Sequence, residues 1–241
     1  MRVIALVVVL LAARTAQAQA ILHDERFRSP QHWAIELRCG PYAPEVDSEF
    51  KGAADPHSRY FLNKHKPLFQ LEVDYQFFHR FGSAAVGAQL GYFREGAYAY
   101  NVAGTERTGD RTALTLLPVA VQLVYRMDVA ARRWNVPFAP YVKAGLSYTM
   151  WQITDANGDV ARADDGKKGR GGTPGWQAAA GVALLLDWID PGSARALDSD
   201  TGVNHTYLFA EIGRYDASGL GRKNALHVGD TTWVAGLMFE F

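Results

Sequence analysis

Apolar and polar residues alternate one by one in about eight stretches of this chain, and that period of two predicts β-strands. The last stretch is the clearest: Thr231, Trp233, Ala235, Leu237, Phe239 and Phe241 share one parity against Val234, Gly236, Met238 and Glu240. Phe69, Leu71, Val73, Tyr75 and Phe77 alternate with Gln70, Glu72, Asp74 and Gln76, and Val86, Ala88, Leu90 and Tyr92 with Gly87, Gln89 and Gly91. Val119, Val121, Leu123 and Tyr125 oppose Ala120, Gln122 and Arg126, while Val142, Ala144, Leu146, Tyr148 and Met150 oppose Lys143, Gly145, Ser147 and Thr149. Three more segments complete the set: Trp33 to Gly40, Trp176 to Trp188 with Gln177, Gly181 and Asp187 on the polar parity, and Leu208 to Gly213 with Phe209 and Glu211.

The connections between these segments alternate in length. Long polar ones fall near 43–66, 96–111, 155–174 and 216–229, whereas the link around Arg80-Phe81-Gly82-Ser83 is very short. Long loops at one end and short turns at the other are the asymmetry of outer-membrane barrels, and an even strand count returns both termini to one side. The stretch 128–137 is moderate, and 189–204, with Pro191 and Gly192, is long for an inner turn; a short helix fits there.

Alternation also suits a soluble barrel, so the content of the two faces decides. The polar parity is rich in glycine (Gly40, Gly87, Gly91, Gly145, Gly181, Gly213, Gly236), as a narrow crowded interior requires. The apolar parity sets Trp33, Tyr92, Tyr125, Tyr148, Trp176, Trp188 and Trp233 towards strand ends, where aromatic belts meet lipid headgroups. Both features favour an inverted barrel with lipid outside and polar residues within. The predicted fold is thus all-β, an up-and-down antiparallel transmembrane barrel of about eight strands.

The chain ends support export. Met1-Arg2, an apolar stretch from Val3 to Ala13, and Ala16-Gln17-Ala18-Gln19-Ala20 have the layout of a secretory signal peptide. Cleavage is expected after Ala18 or Ala20, which leaves 19–241 as the barrel with its long outer loops. An apolar run of about eleven residues is too short for a helix crossing roughly 30 Å of hydrocarbon. The 25 basic and 25 acidic side chains balance, which argues against nucleic acid as a partner. The one cysteine, Cys39, cannot form an internal disulfide and reads as a small apolar residue.

The ending Phe239-Glu240-Phe241, an aromatic terminus completing an alternating strand, resembles the carboxyl-terminal segment read by the barrel insertion machinery. With the strand pattern, it makes nearly the whole mature chain similar to the small eight-stranded outer-membrane barrels of the OmpA, OmpX and OmpW type. The stretch from Trp33 to Tyr42 is also similar to the first strand of a poorly characterised group of myxobacterial outer-membrane barrels. The resemblance implies a Gram-negative outer membrane as location, and lipid, lipopolysaccharide and the insertion machinery as partners. It also implies a monomer without a cofactor.

The same parity assigns Glu36, Arg38, Glu72, Asp74, Gln89, Gln122, Arg126, Lys143, Gln177, Asp187, Glu211 and Glu240 to the lumen. Buried charges must pair, because an isolated one costs several kcal/mol. Arg38, Arg126 and Lys143 are each expected to be shared between carboxylates, filling a lumen only just wide enough for its own side chains. The leading expectation is therefore a plugged barrel with a structural or surface-interaction role. A narrow porin-like pore, or a carrier of small and hydrophobic solutes by analogy with OmpW, is the alternative. A lipid-modifying enzyme at the rim is the least favoured, since Asn204-His205-Thr206 has no serine nucleophile in a matching position. The seven histidines show no metal-ligand spacing. Loop 155–170 brings together Asp155, Asn157, Asp159, Asp164 and Asp165, but Gly166 stands where a calcium loop needs a bidentate glutamate, so a solvated turn is expected. Lys167, Lys168 and Arg170 in that loop are candidates for contact with lipopolysaccharide phosphates.

Overall fold

The computed structural model describes residues 32–50, 56–61, 65–100, 107–134, 136–162, 166–222 and 225–241. The predicted signal peptide, and Asp164 and Asp165 of the acidic loop, lie outside the described residues. The strands are β1 (Trp33–Tyr42), β2 (Lys66–Phe78), β3 (Ser83–Tyr100), β4 (Arg107–Arg126), β5 (Phe138–Thr154), β6 (Arg170–Leu185), β7 (His205–Asp216) and β8 (Asp230–Glu240). Each pairs antiparallel with the next, and β8 pairs with β1, so the sheet closes as an eight-stranded up-and-down barrel.

The alternation read from the sequence is realised as two faces. Leu37, Leu71, Val121, Leu146, Ile212 and Trp233 point outward and are exposed, while Glu36, Glu72, Asp74, Gln122, Lys143 and Glu211 point inward and are buried. Leu146 is 69% exposed and Glu72 is 0% exposed, the reverse of what water would select. Among the described residues no helix is long and apolar enough to cross a membrane. Cys39 lies on the outward row and is a free thiol.

Strand lengths depart from expectation at the loop end. β1 and β8 have 10 and 11 residues, close to the nine to eleven that span a bilayer. By contrast β3, β4, β5 and β6 run to 18, 20, 17 and 16 residues. Residues 96–100, 107–111 and 170–174, predicted as loop, are therefore strand that extends two hairpins beyond the apolar band. The outward row of such an extension carries polar or small residues such as Arg94 and Gly96, so the hydrophobic alternation fades there although burial still alternates and the backbone ladder continues.

At the end bearing the termini, residues 79–82 make the tight turn, and α1 is assigned elsewhere, to Pro56–Phe61 in the first long loop. The moderate link holds the short helix α2 (Val129–Trp134), and the long link holds α3 (Pro191–Thr201), the helix expected there. Its cause is local: Asp190 Oδ1 accepts the N–H groups of Gly192 and Ser193 at 3.1 Å, Pro191 starts the helix, and Gly202 ends it at φ 77°. Two corrections arise nearby. Asp187, expected in the lumen, and Trp188, expected in an aromatic belt, both lie in a 3-10 turn, Leu186–Trp188, just past the end of β6. There Asp187 Oδ2 lies 2.6 Å from His205 Nδ1 and its Oδ1 accepts the Thr206 N–H at 3.1 Å, which fastens the turn to β7.

The seam between β8 and β1 is locked at both ends. The Phe241 N–H donates to Trp33 O at 2.8 Å, and Phe241 O accepts from His32 and Trp33. At the loop end Asp230 Oδ2 accepts the Ala43 N–H at 2.9 Å, the Tyr42 hydroxyl donates to Val228 O, and Arg214 holds both oxygens of Glu45 at 2.7 Å.

Candidate functional site

Every strand contributes to the interior, because each places alternate residues inside and the closed wall brings all eight inner rows within reach. Glycines make the room. A Cβ on Gly87 would stand 2.3 Å from Asp74 Oδ1, and one on Gly145 would stand 2.2 Å from Val121 O. Without them the long charged side chains and the opposite wall could not share the space.

Those charged side chains form one connected network. Lys143 Nζ on β5 donates to Glu36 Oε2 on β1 at 2.6 Å and to Glu72 Oε1 on β2 at 2.9 Å. Arg38 contacts Glu72 and Glu211, and lies 3.6 Å from Glu36. Arg126 on β4 reaches Glu240 on β8 at 2.6 Å and Glu36 at 3.6 Å. Amides extend the network: Gln122 donates to Glu72 at 2.6 Å, and Gln177 donates to both Gln89 and Gln122 at 2.6 Å. Each of the three cations thus bridges at least two carboxylates.

The formal count of the network differs from the sequence expectation. With Asp187 outside it, Glu36, Glu72, Asp74, Glu211 and Glu240 face Arg38, Arg126 and Lys143, five carboxylates against three cations. Asp74 is the carboxylate without a cation, its oxygens packed against Gly87 and within 4.8 Å of those of Glu36 and Glu72.

Several participants escape a reading by charge alone. The Tyr141 hydroxyl donates to Glu211 Oε2 at 2.8 Å, and Gln76 donates to Glu240 Oε1 at 2.8 Å. Tyr141 stands two residues before Lys143 and Gln76 two after Asp74, so their parity placed them inside. Apolar layers flank the charges. Tyr42, Leu68, Phe93, Leu114, Leu116 and Val228 pack across the loop end, and Tyr141, Leu185, Tyr207, Phe209 and Met238 cluster towards the terminus end.

The remaining expected sites fall elsewhere. Lys167, Lys168 and Arg170 are exposed on the β5–β6 hairpin at the loop end. Phe239 and Phe241 close the last strand beside β1. In the acidic loop Asp155 Oδ1 accepts the N–H groups of Asn157 and Asp159 at 3.0 and 3.1 Å, a turn held by its own side chain. At the rim, His205 is engaged by Asp187 and stacks edge-on against Tyr207 at 6.1 Å.

A closed antiparallel barrel with an apolar exterior, a charged interior and aromatic residues near the strand ends has the architecture of bacterial outer-membrane proteins. The chain has that fold: a closed eight-stranded antiparallel barrel with an apolar outer face. No protein-family model matches it, and no curated protein matches it in sequence. Among solved structures it is similar to OprG of Pseudomonas aeruginosa, with 12% identity, 89% of this chain and 97% of that one covered, and a TM-score of 0.47. It is also similar to Neisserial surface protein A (12% identity, 87% and 97% covered, TM-score 0.45) and to Ail of Yersinia pestis, solved with a heparin analogue (12%, 88% and 97%, 0.42).

Proposed function

We propose that this barrel is sealed, and that it serves as a structural and surface-interaction platform for the long outer hairpins. The observation that carries this reading is the ion pair between Lys143 and Glu36, made at 2.6 Å. β5 and β1 stand four strands apart on either side of an eight-stranded ring, so this contact crosses the full lumen. Arg126 to Glu240, β4 to β8, repeats the crossing at another point. Side chains that meet across the diameter leave no continuous column of water, and the apolar layers at the two ends add a second barrier. The loop end faces outward and the termini face the periplasm, as bacterial barrels require.

The test is conductance of the refolded full-length mature protein in a planar bilayer, with folding confirmed by a heat-dependent gel shift. No discrete current steps are expected. Regular cation-selective steps that shrink on Glu72→Gln would overturn the sealed reading in favour of a narrow pore.

The role proposed for the carboxyl terminus is separable from folding. The bonds of Phe241 to Trp33 are backbone bonds, so Phe241→Ser keeps them. We expect this variant to refold in detergent like the parent but to assemble several-fold more slowly in cells. Equal assembly rates in cells would remove the insertion-signal role.

A further inference from the structure

The β5–β6 hairpin carries a charge arrangement that no described residue of the hairpin compensates. Arg162 and Lys168 sit directly opposite one another across an antiparallel bridge, and Arg170 follows two residues later at the start of β6. Like charges directly opposed across two strands destabilise a hairpin. All three side chains are exposed, and among the described residues no carboxylate is paired with any of them. Asp155, in the same loop, is turned onto the backbone of that loop. Lys167, although adjacent, has a partner of its own.

Their height on the wall suggests what compensates them. Arg170 is registered against Gln152; the next outward pairs towards the membrane are Met150 with Gly172 and Tyr148 with Pro174. Tyr148, Met150 and Trp176 are exposed on the lipid-facing row. Arg170 therefore stands one outward step, about 7 Å along the strand, beyond the last exposed apolar residue of β5. That is the depth at which aromatic belts give way to lipid headgroups.

We propose that Arg162, Lys168 and Arg170 form a site for the phosphates of an anionic lipid headgroup in the outer leaflet. Guanidinium groups grip phosphate through paired N–H donors, and one shared phosphate relieves the opposition of Arg162 and Lys168. Relative to the sequence expectation, Arg162 joins the site and Lys167 leaves it. The assignment rests on the outward orientation of the loop end stated above and is independent of whether the lumen conducts.

The experiment is native mass spectrometry of the detergent-refolded mature barrel titrated with bis-phosphorylated lipid A, alongside the same lipid stripped of its phosphates. The triple variant Arg162→Gln/Lys168→Gln/Arg170→Gln is expected to bind lipid A about tenfold or more weakly. Lys167→Gln is expected to stay within about twofold of the parent, and the stripped lipid to bind the parent as weakly as lipid A binds the triple variant. Asp164→Asn/Asp165→Asn, close by in the sequence, should bind at least as well as the parent. Equal binding by the triple variant, or equal binding of the stripped lipid, would overturn the site. Displacement of lipid A by a soluble sulfated polysaccharide with higher affinity would assign the hairpin to a soluble polyanion and overturn it as well. The gel shift confirms that the variants fold, and unchanged bilayer conductance separates this result from the lumen reading.

Discussion

Lys143→Met should cost the folded barrel about 3–5 kcal/mol, the expected cost of leaving buried charges without their partner. The ammonium bridges Glu36 and Glu72, at 2.6 and 2.9 Å, is the nearest cation to Glu36, and all three side chains are almost fully buried. Methionine fills much the same volume, so the loss reports charge rather than a cavity. Denaturant unfolding in lipid vesicles measures it, as a shift of midpoint with an unchanged slope. Adding Glu72→Gln should recover part of the loss, because residues in one network couple non-additively. A loss below about 1 kcal/mol would mean that Lys143 is solvated in a wet lumen. The case for a sealed barrel would then fail along with the prediction.

The second large effect is expected at the closing seam. Gly236 on β8 is registered against Arg38 on β1, and a Cβ there would stand 2.0 Å from Leu37 O and 2.9 Å from Phe209 Cζ. The obstructing oxygen belongs to the backbone that pairs β1 with β8, so it cannot withdraw without opening the ladder. Gly236→Val should therefore destabilise by about 3 kcal/mol or more, at the upper end of overpacking, and the heat-shifted folded band should be lost or strongly reduced. Gly109, where nothing lies within 4 Å of an added Cβ, provides the control. Gly109→Val is expected to fold normally. Equal folding of the two variants would show that the seam tolerates a side chain at Gly236.

Much of this architecture is legible in the amino-acid order, and the reason is local. A bilayer demands one apolar face, and in a strand faces alternate at every residue, so Leu71 and Val73 against Glu72 and Asp74 already separate outside from inside. The same logic places Lys143 and Glu211 in the interior. It fails where the demand lapses. Past Tyr92 the outward row of β3 holds Arg94 and Gly96 in place of apolar residues, so its extension to Tyr100 left no hydrophobic alternation to read. It also fails at Asp187, where alternation ran on along the sequence while the chain had already turned into a 3-10 helix fastened to His205.

Within the strands, the sequence by itself determined the strand count and which residues lie on the outward and inward faces, because each follows from the parity of a residue within its own strand. Only the tertiary structure decided who meets whom inside. Lys143 and Glu36 stand 107 residues apart, and they touch because closure of the ring and the stagger of its strands bring β5 opposite β1 at one height. The same closure leaves Asp74 without a cation and sets Phe93 across the loop end as part of an apolar layer. Parity names the face, but it carries no information about the opposite wall.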